Sequence, residues 1–154
     1  MTKRMIKTLT MLTMVVALSL ATAAVSADAQ TSTKQTVNIP FEFVVGSHEM
    51  SAGKYDVDRI TSGGVVVRIR NTSNADLTTR LTSTIVKTKA PDQGKLVFHR
   101  YGSTYFLAEV WRAGDSNGRQ LVKSSREKNA NRELAANTSA DRKYEIVEVM
   151  FEGQ

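Results

Sequence analysis

The sequence predicts a mainly β fold, an antiparallel β-barrel or two-layer β-sandwich of seven to nine strands with one late surface helix. Three observations carry that prediction. Short runs of alternating apolar residues recur from Val37 to Phe151, the period expected of half-buried strands. Turn-forming clusters such as Gly46-Ser47, Ser62-Gly63-Gly64 and Gly102-Ser103 separate these runs at close intervals. Helical composition appears in one stretch, about residues 124–136.

The N-terminus comes first in the chain and bears on location. Lys3, Arg4 and Lys7 precede an uncharged run from Leu9 to about Val25, the order of charges and apolar residues in a secretory signal peptide. Thr10, Thr13, Ser19 and Thr22 dilute the run below the ~20 strongly apolar residues of a membrane anchor. Ala27-Asp28-Ala29 supplies a small-x-small motif, so cleavage is expected before Gln30, with Val25-Ser26-Ala27 as the second candidate. Losing residues 1–29 of 154 leaves 125, residues 30–154, which suits a single β-rich domain. Three cations and one anion depart (Lys3, Arg4, Lys7 and Asp28), so the formal charge of +6 becomes +4. The expected location is periplasmic or extracellular, with no stable membrane span after processing. A modest positive charge there points away from nucleic acid, and toward a solubilising surface or a polyanionic component of the envelope. The chain has no cysteine, which excludes a lipoprotein anchor, a disulfide framework, thiolate metal ligation and a cysteine nucleophile.

From Val37 the strands follow in order. Val37, Ile39, Phe41, Phe43 and Val45 alternate as one half-buried strand. Pro40 within it cannot donate a ladder hydrogen bond, so an edge or a bulge is expected there. Gly46 to Glu49 turns the chain, and Tyr55, Val57 and Arg59 share one face of a second strand, making Val37 to Arg59 an opening hairpin. Val65 to Arg70 is strongly β-branched, with Val65, Val67 and Ile69 inward and Arg68 and Arg70 outward. Asp76 to Thr88 reads as one long strand or two with a bend, and Lys89 to Gly94 as a turn.

Lys95 to Tyr101 and Thr104 to Arg112 form the clearest hairpin, because Gly102-Ser103 suits a two-residue turn. Such a turn pairs Tyr101 with Thr104, Arg100 with Tyr105, His99 with Phe106 and Phe98 with Leu107. One face then carries Leu96, Phe98, Arg100, Tyr105, Leu107, Glu109 and Trp111, and the other Val97, His99, Tyr101, Phe106, Ala108 and Val110. Both faces are largely apolar, so this hairpin is expected to be covered by the interior on one side and the helix on the other. Ala113 to Gly118 reads as a turn. Ser124 and Glu127 have capping-box spacing ahead of a helix whose apolar face is thin, chiefly Ala130, Leu134 and Ala135. A final strand, about residues 143–152, sets Tyr144, Ile146 and Met150 opposite Val147, Val149 and Phe151.

The segments Val37-Asn38-Ile39-Pro40-Phe41-Glu42-Phe43-Val44-Val45-Gly46, Met50-Ser51-Ala52-Gly53-Lys54-Tyr55, Lys95-Leu96-Val97-Phe98-His99-Arg100-Tyr101-Gly102 and Tyr105-Phe106-Leu107-Ala108-Glu109-Val110-Trp111 resemble a group of small exported bacterial proteins of uncharacterised function, with Met50-Ser51 departing from the Leu-Pro common in the group. The resemblance spans most of residues 30–154 and implies export and a β-rich fold.

No catalytic residue, metal site or cofactor is expected. Two histidines and no Gly-x-Ser-x-Gly elbow do not make a hydrolytic triad, and no His or carboxylate spacing suits zinc. Asp115-Ser116-Asn117-Gly118 has the flavour of a calcium loop but lacks the further ligands, so it reads as a plain turn. The candidate ligand-binding set is His99, Arg100, Tyr101, Tyr105 and Trp111 on the hairpin with Arg59 from the second strand. Arg100, placed among Leu96, Phe98, Tyr105 and Leu107, would need an acid such as Glu109, an aromatic face or an anionic ligand. The leading expectation is an exported, non-enzymatic domain that binds a small apolar or anionic ligand or an envelope component. A structural or interaction protein without a pocket is the alternative, and a hydrolase using carboxylates such as Glu42, Asp58 or Glu109 the remote third.

Overall fold

The computed structural model describes residues 34–60, 65–137 and 144–153, all within one compact unit of residues 33–154. The signal peptide at 1–29, the Ser62-Gly63-Gly64 turn and the proposed start of the last strand at Lys143 lie outside the described residues. Among the described residues there are ten strands, β1 (Gln35–Ile39), β2 (Phe43–Val45), β3 (His48–Met50), β4 (Gly53–Arg59), β5 (Val66–Asn71), β6 (Leu77–Val86), β7 (Lys95–Tyr101), β8 (Thr104–Trp111), β9 (Asn117–Leu121) and β10 (Glu145–Met150), and one helix, α1 (Ser125–Asn137). Among the described residues no helix is long and apolar enough to cross a membrane. The ladder runs β1-β4-β5-β6-β9-β8, where β8 pairs with both β7 and β2; β10 flanks β7, and β3 flanks β2. It stays open, sandwich-like rather than a closed barrel. Between its two ends, the Glu152 N–H donates to the Thr36 carbonyl at 2.8 Å.

Two expectations need correction. The apolar alternation from Val37 to Val45 is two strands, not one: β1 pairs antiparallel with β4, setting Val37 against Tyr55, while β2 leaves that ladder to pair with β3 and, in parallel, with Tyr105 and Phe106 of β8. The sheet is therefore mixed. Pro40 sits at the break, where its missing N–H removes the donor that a continuous strand would need. The second correction is β9, a strand where only a turn and helix lead were expected; it pairs with β6 through Thr82↔Leu121 and with β8 through Val110↔Arg119.

The β2–β3 turn is anchored from across the sandwich. Gly46 takes φ +67°, and a Cβ there would fall 2.3 Å from Nε of Arg80. Arg80 lies opposite Val67 on β6, and its Nε and Nη2 donate to the Val45 carbonyl at 3.2 and 3.0 Å. The inward face of β6 is thus polar, with Thr78 and Thr82 buried, while Leu77 and Leu81 face solvent.

The β7–β8 hairpin keeps the expected register from Tyr101↔Thr104 to Phe98↔Leu107, then slips: Val97 faces Glu109, leaving Ala108 as an extra residue. A bulge of this kind turns every later side chain over. Val110 joins the main core, and Glu109 and Trp111 move to the opposite face. Both faces are covered, as the composition indicates. The main core packs Leu96, Phe98, Leu107 and Val110 with Val37, Ile39, Phe43, Tyr55, Val57, Val67, Ile69 and Phe151; the outer face, through Tyr101 and Phe106, packs with Val44 against Ala130 and Leu134 of α1 and against Tyr144.

Outside β4 and β5 the charged residues form a ladder. Asp58 takes Arg68, whose Nε donates at 3.0 Å, and Asp56 takes Lys34 at 2.9 Å, Thr36 at 3.1 Å and Arg70 at 3.7 Å. Burial pushes the Asp56 carboxyl up, but the hydrogen bonds from Lys34 and Thr36 and the charges of Lys34 and Arg70 outweigh it and hold the group below the usual range. A carboxyl lowered in the folded state stabilises above its unfolded value of about 3.9 and loses that contribution as pH falls through the lower folded value. The urea midpoint of the Asp56→Asn variant should therefore lie below that of the parent by a constant gap from pH 8 to 5, with the gap closing in acid below pH ~4. A gap that grows on acidification would contradict this sign.

Candidate functional site

The six candidate residues lie in four places. His99 and Tyr101 come together under α1. Tyr105 stacks on Phe41 with ring centroids 4.0 Å apart. Arg100 is not enclosed among apolar side chains as expected: its side chain is 40% exposed, paired with Glu145 at 3.1 Å rather than with Glu109, with Nε donating to the Gly102 carbonyl and the guanidinium 5.4 Å from the Tyr105 ring. The apolar interior ends before the turn, so its charge stays in water. Because Glu145 is 72% exposed, Arg100→Ala should cost about 0–1 kcal/mol, measurable by urea unfolding; a loss above about 2 kcal/mol would mean a buried role.

Trp111 is fully buried on the face opposite the main core. The strand alternation puts it beside Glu109, whose Oε2 accepts from the indole Nε1–H at 2.6 Å, with the Lys87 ammonium 4.3 Å from the ring. Trp111 and Glu109 thus share a face, as expected, but not with Arg100.

The fourth place is the rim beside the β8–β9 loop, where Arg59 meets residues that the strand pattern did not single out. Tyr55 and Val57 on β4 point into the core, and Arg59 follows them on the same face. Arg119 on β9 lies opposite the core residue Val110 and two residues before the core residue Leu121, so it too faces inward. Arg112 follows Val110 just past the end of β8. Arg59 donates to Asp115 Oδ2 and to the Asn117 carbonyl, both at 3.4 Å, and its side chain is only 12% exposed. Its Nε is buried and finds no hydrogen-bond partner among the described residues. Arg119 donates to Thr84 Oγ1 at 2.6 Å.

The electrostatics agree with that crowding. Burial pushes the Arg59 guanidinium below its ordinary value and the charge of Arg119 pushes it further, with Asp115 opposing in part. Arg112 is lowered by burial and by the charge of Arg59. Asp115 is held below the usual carboxylate range by the Asn117 backbone N–H, which donates at 2.8 Å, and burial opposes this; the charge and hydrogen bond of Arg59 add to the lowering. The chain thus enters β9 through a turn in which Asp115 accepts the Asn117 N–H, while its other carboxylate oxygen accepts from Arg59.

Under α1 a second polar group is enclosed. Ser124 caps the helix by accepting the Glu127 N–H at 3.1 Å, as the capping-box spacing indicates. The Glu127 carboxylate turns inward, 4% exposed, and accepts from His99 Nδ1 at 3.1 Å and from the Tyr101 hydroxyl at 3.3 Å. The Tyr144 ring stacks on His99 with centroids 4.0 Å apart. Burial first, then the Glu127 charge, pushes the Tyr101 phenol well above its ordinary value. Every polar atom of this set that is named here has a partner, which is the pattern of a structural network.

The carboxylates considered for hydrolysis are dispersed. Asp58 is engaged by Arg68 and Glu109 by Trp111. Glu42 lines a groove of about 450 Å³ with Glu49, Ser103, Thr104 and Arg126, where Arg126 pairs with Glu49. Comparison with protein-family models, curated proteins and solved structures gave no match.

Proposed function

We propose that the chain is an exported, non-enzymatic binding protein of the periplasm or cell exterior that holds a small anionic ligand at the arginine rim of its sandwich. The observation that supports this reading is Arg59, an inward-facing, nearly buried guanidinium whose Nε finds no hydrogen-bond partner among the described residues, with the charge of Arg119 and the carboxylate of Asp115 beside it. The like charge of Arg119 acts on Arg59 in the same place. An arriving anion would relieve that repulsion and supply the missing acceptor. The interior beneath is filled by Phe43, Tyr55 and Phe98, which favours a ligand at the rim over an apolar one inside.

The test is amide NMR of residues 30–154 at low ionic strength, titrated with sulfate and with acetate. Backbone signals of Arg59, Asn117 and Arg119 should move with at least one anion, and Arg59→Ala should weaken that binding at least tenfold while Arg100→Ala leaves it unchanged. Failure of both anions to move the rim signals would remove the reading. N-terminal sequencing of protein recovered from the host's periplasm or medium tests export, a chain still beginning at Met1 being the contrary result.

The carboxylate hydrolase draws support from the groove shared by Glu42 and Glu49, but the pairing of Glu49 with Arg126 makes it the weaker reading.

A further inference from the structure

We infer that the groove between α1 and the ends of β2, β3 and β8 binds a neutral saccharide, a ligand whose hydroxyls both donate and accept. The groove lies apart from Arg59, and the inference does not depend on the anion-binding reading.

Strand pairing builds the site. β2 sets Phe43 against Met50 and Val44 against Glu49 on β3, and on its other side Phe43 against Tyr105 and Val44 against Phe106 on β8. Carried one residue further, the same registers place Glu42 between Ser51 and Thr104. Phe43 and Met50 belong to the main core, whereas Val44 and Phe106 pack toward α1. Alternation along each strand therefore brings Ser51, Glu42 and Thr104 to the helix side as well. Neighbouring strands lie ~4.8 Å apart, so the three make a hydroxyl–carboxylate–hydroxyl row about 10 Å long. The helix covers Val44 and Phe106 through Ala130 and Leu134, and Arg126 of its first turn reaches Glu49. What stays open is the groove of about 450 Å³, lined by the row, by Arg126 and by Ser103, within the ~300–1,000 Å³ of small-molecule sites.

The lining chooses the ligand. Among the described residues the Glu42 carboxylate and the side-chain hydroxyls of Ser51 and Thr104 make no hydrogen bond or ion pair, so all three face an arriving molecule unengaged. Arg126 is paired with Glu49, yet its side chain is 48% exposed, and a guanidinium carries more N–H donors than one carboxylate takes. The groove thus presents an acceptor, a donor and hydroxyls that act as both. A carboxylate accepts from two neighbouring ring hydroxyls, one at each oxygen, while serine and threonine give or take with the next. Charged ligands fit less well, because an anion meets Glu42 and Glu49 and a cation meets Arg126.

The experiment is amide NMR of residues 30–154 titrated with cellobiose, lactose and diacetylchitobiose, and then with glucose, glucosamine and glucuronate, which share a ring and differ in charge. Signals of Val44, Glu49 and Thr104 should move with at least one of the disaccharides while those of Arg59 and Asn117 stay still. Glu42→Ala should weaken that binding about tenfold and Thr104→Val about threefold, with circular dichroism confirming that both variants are folded. Affinity unchanged in both variants would overturn the site. Glucosamine or glucuronate binding at these amides tenfold more tightly than glucose would overturn the neutral ligand. Silence of the groove toward all six sugars would remove the saccharide site, and would leave the arginine rim to its own titration with sulfate.

Discussion

Replacing Trp111 by alanine is expected to remove about 3–5 kcal/mol of stability, the largest single-residue effect foreseen in this domain. The indole is fully buried, and it lies against Gly118 of the neighbouring strand so closely that a Cβ there would come within 2.7 Å of three ring atoms. Glycine in a strand interior ordinarily weakens it, and its presence marks a close approach. Here the ring covers the backbone where β9 has no side chain to offer. Gly118→Ala should accordingly cost about 1–3 kcal/mol by displacing the ring, and the Trp111→Ala/Gly118→Ala double variant should lose less than the sum. Urea unfolding followed by far-ultraviolet circular dichroism reads all three, since Trp111 is the single tryptophan and its fluorescence disappears with it. An unchanged emission maximum and midpoint in Gly118→Ala would show that the ring does not rest on that glycine.

Glu127→Ala should be the next most damaging change, at about 3 kcal/mol. Truncation leaves His99 Nδ1 and the Tyr101 hydroxyl, both in buried residues, without their acceptor, and an unsatisfied buried group costs about 1–3 kcal/mol. Glu127→Gln keeps one acceptor oxygen and should cost less than half as much. The loss should be local as well as global, because the helix meets the sheet through Ala130 and Leu134 and through this carboxylate. Amide exchange in α1 should therefore quicken more than exchange in β4 and β5. Equal acceleration everywhere would place Glu127 among ordinary core residues.

The reach of sequence reasoning follows from what each residue depends on. The pairing of β7 with β8 was readable because Gly102-Ser103 is a two-residue turn, and such a turn sets the register of the strands it joins. The bulge was not, since Ala108 has no turn chemistry and the slip is decided by how Val110 and Trp111 pack. For the same reason the shared face of Glu109 and Trp111 was legible, and the place of Arg100 relative to them was not. Arg59 could be set on the inward face from the Tyr55–Val57 alternation. Arg119 could not, because Asn117 to Gln120 is uniformly polar and β9 becomes a strand through its partners rather than its own pattern. Pro40 announced an interruption, but the destination of β2 depends on contacts with β8, some 60 residues away in the chain.

The bond from Glu152 to Thr36 has a bearing on time. It joins residues near opposite ends of the described chain, and Phe151 beside it belongs to the main core. A polypeptide emerging N-terminus first cannot finish that core until Phe151 has emerged. Contacts of such long sequence separation also slow folding.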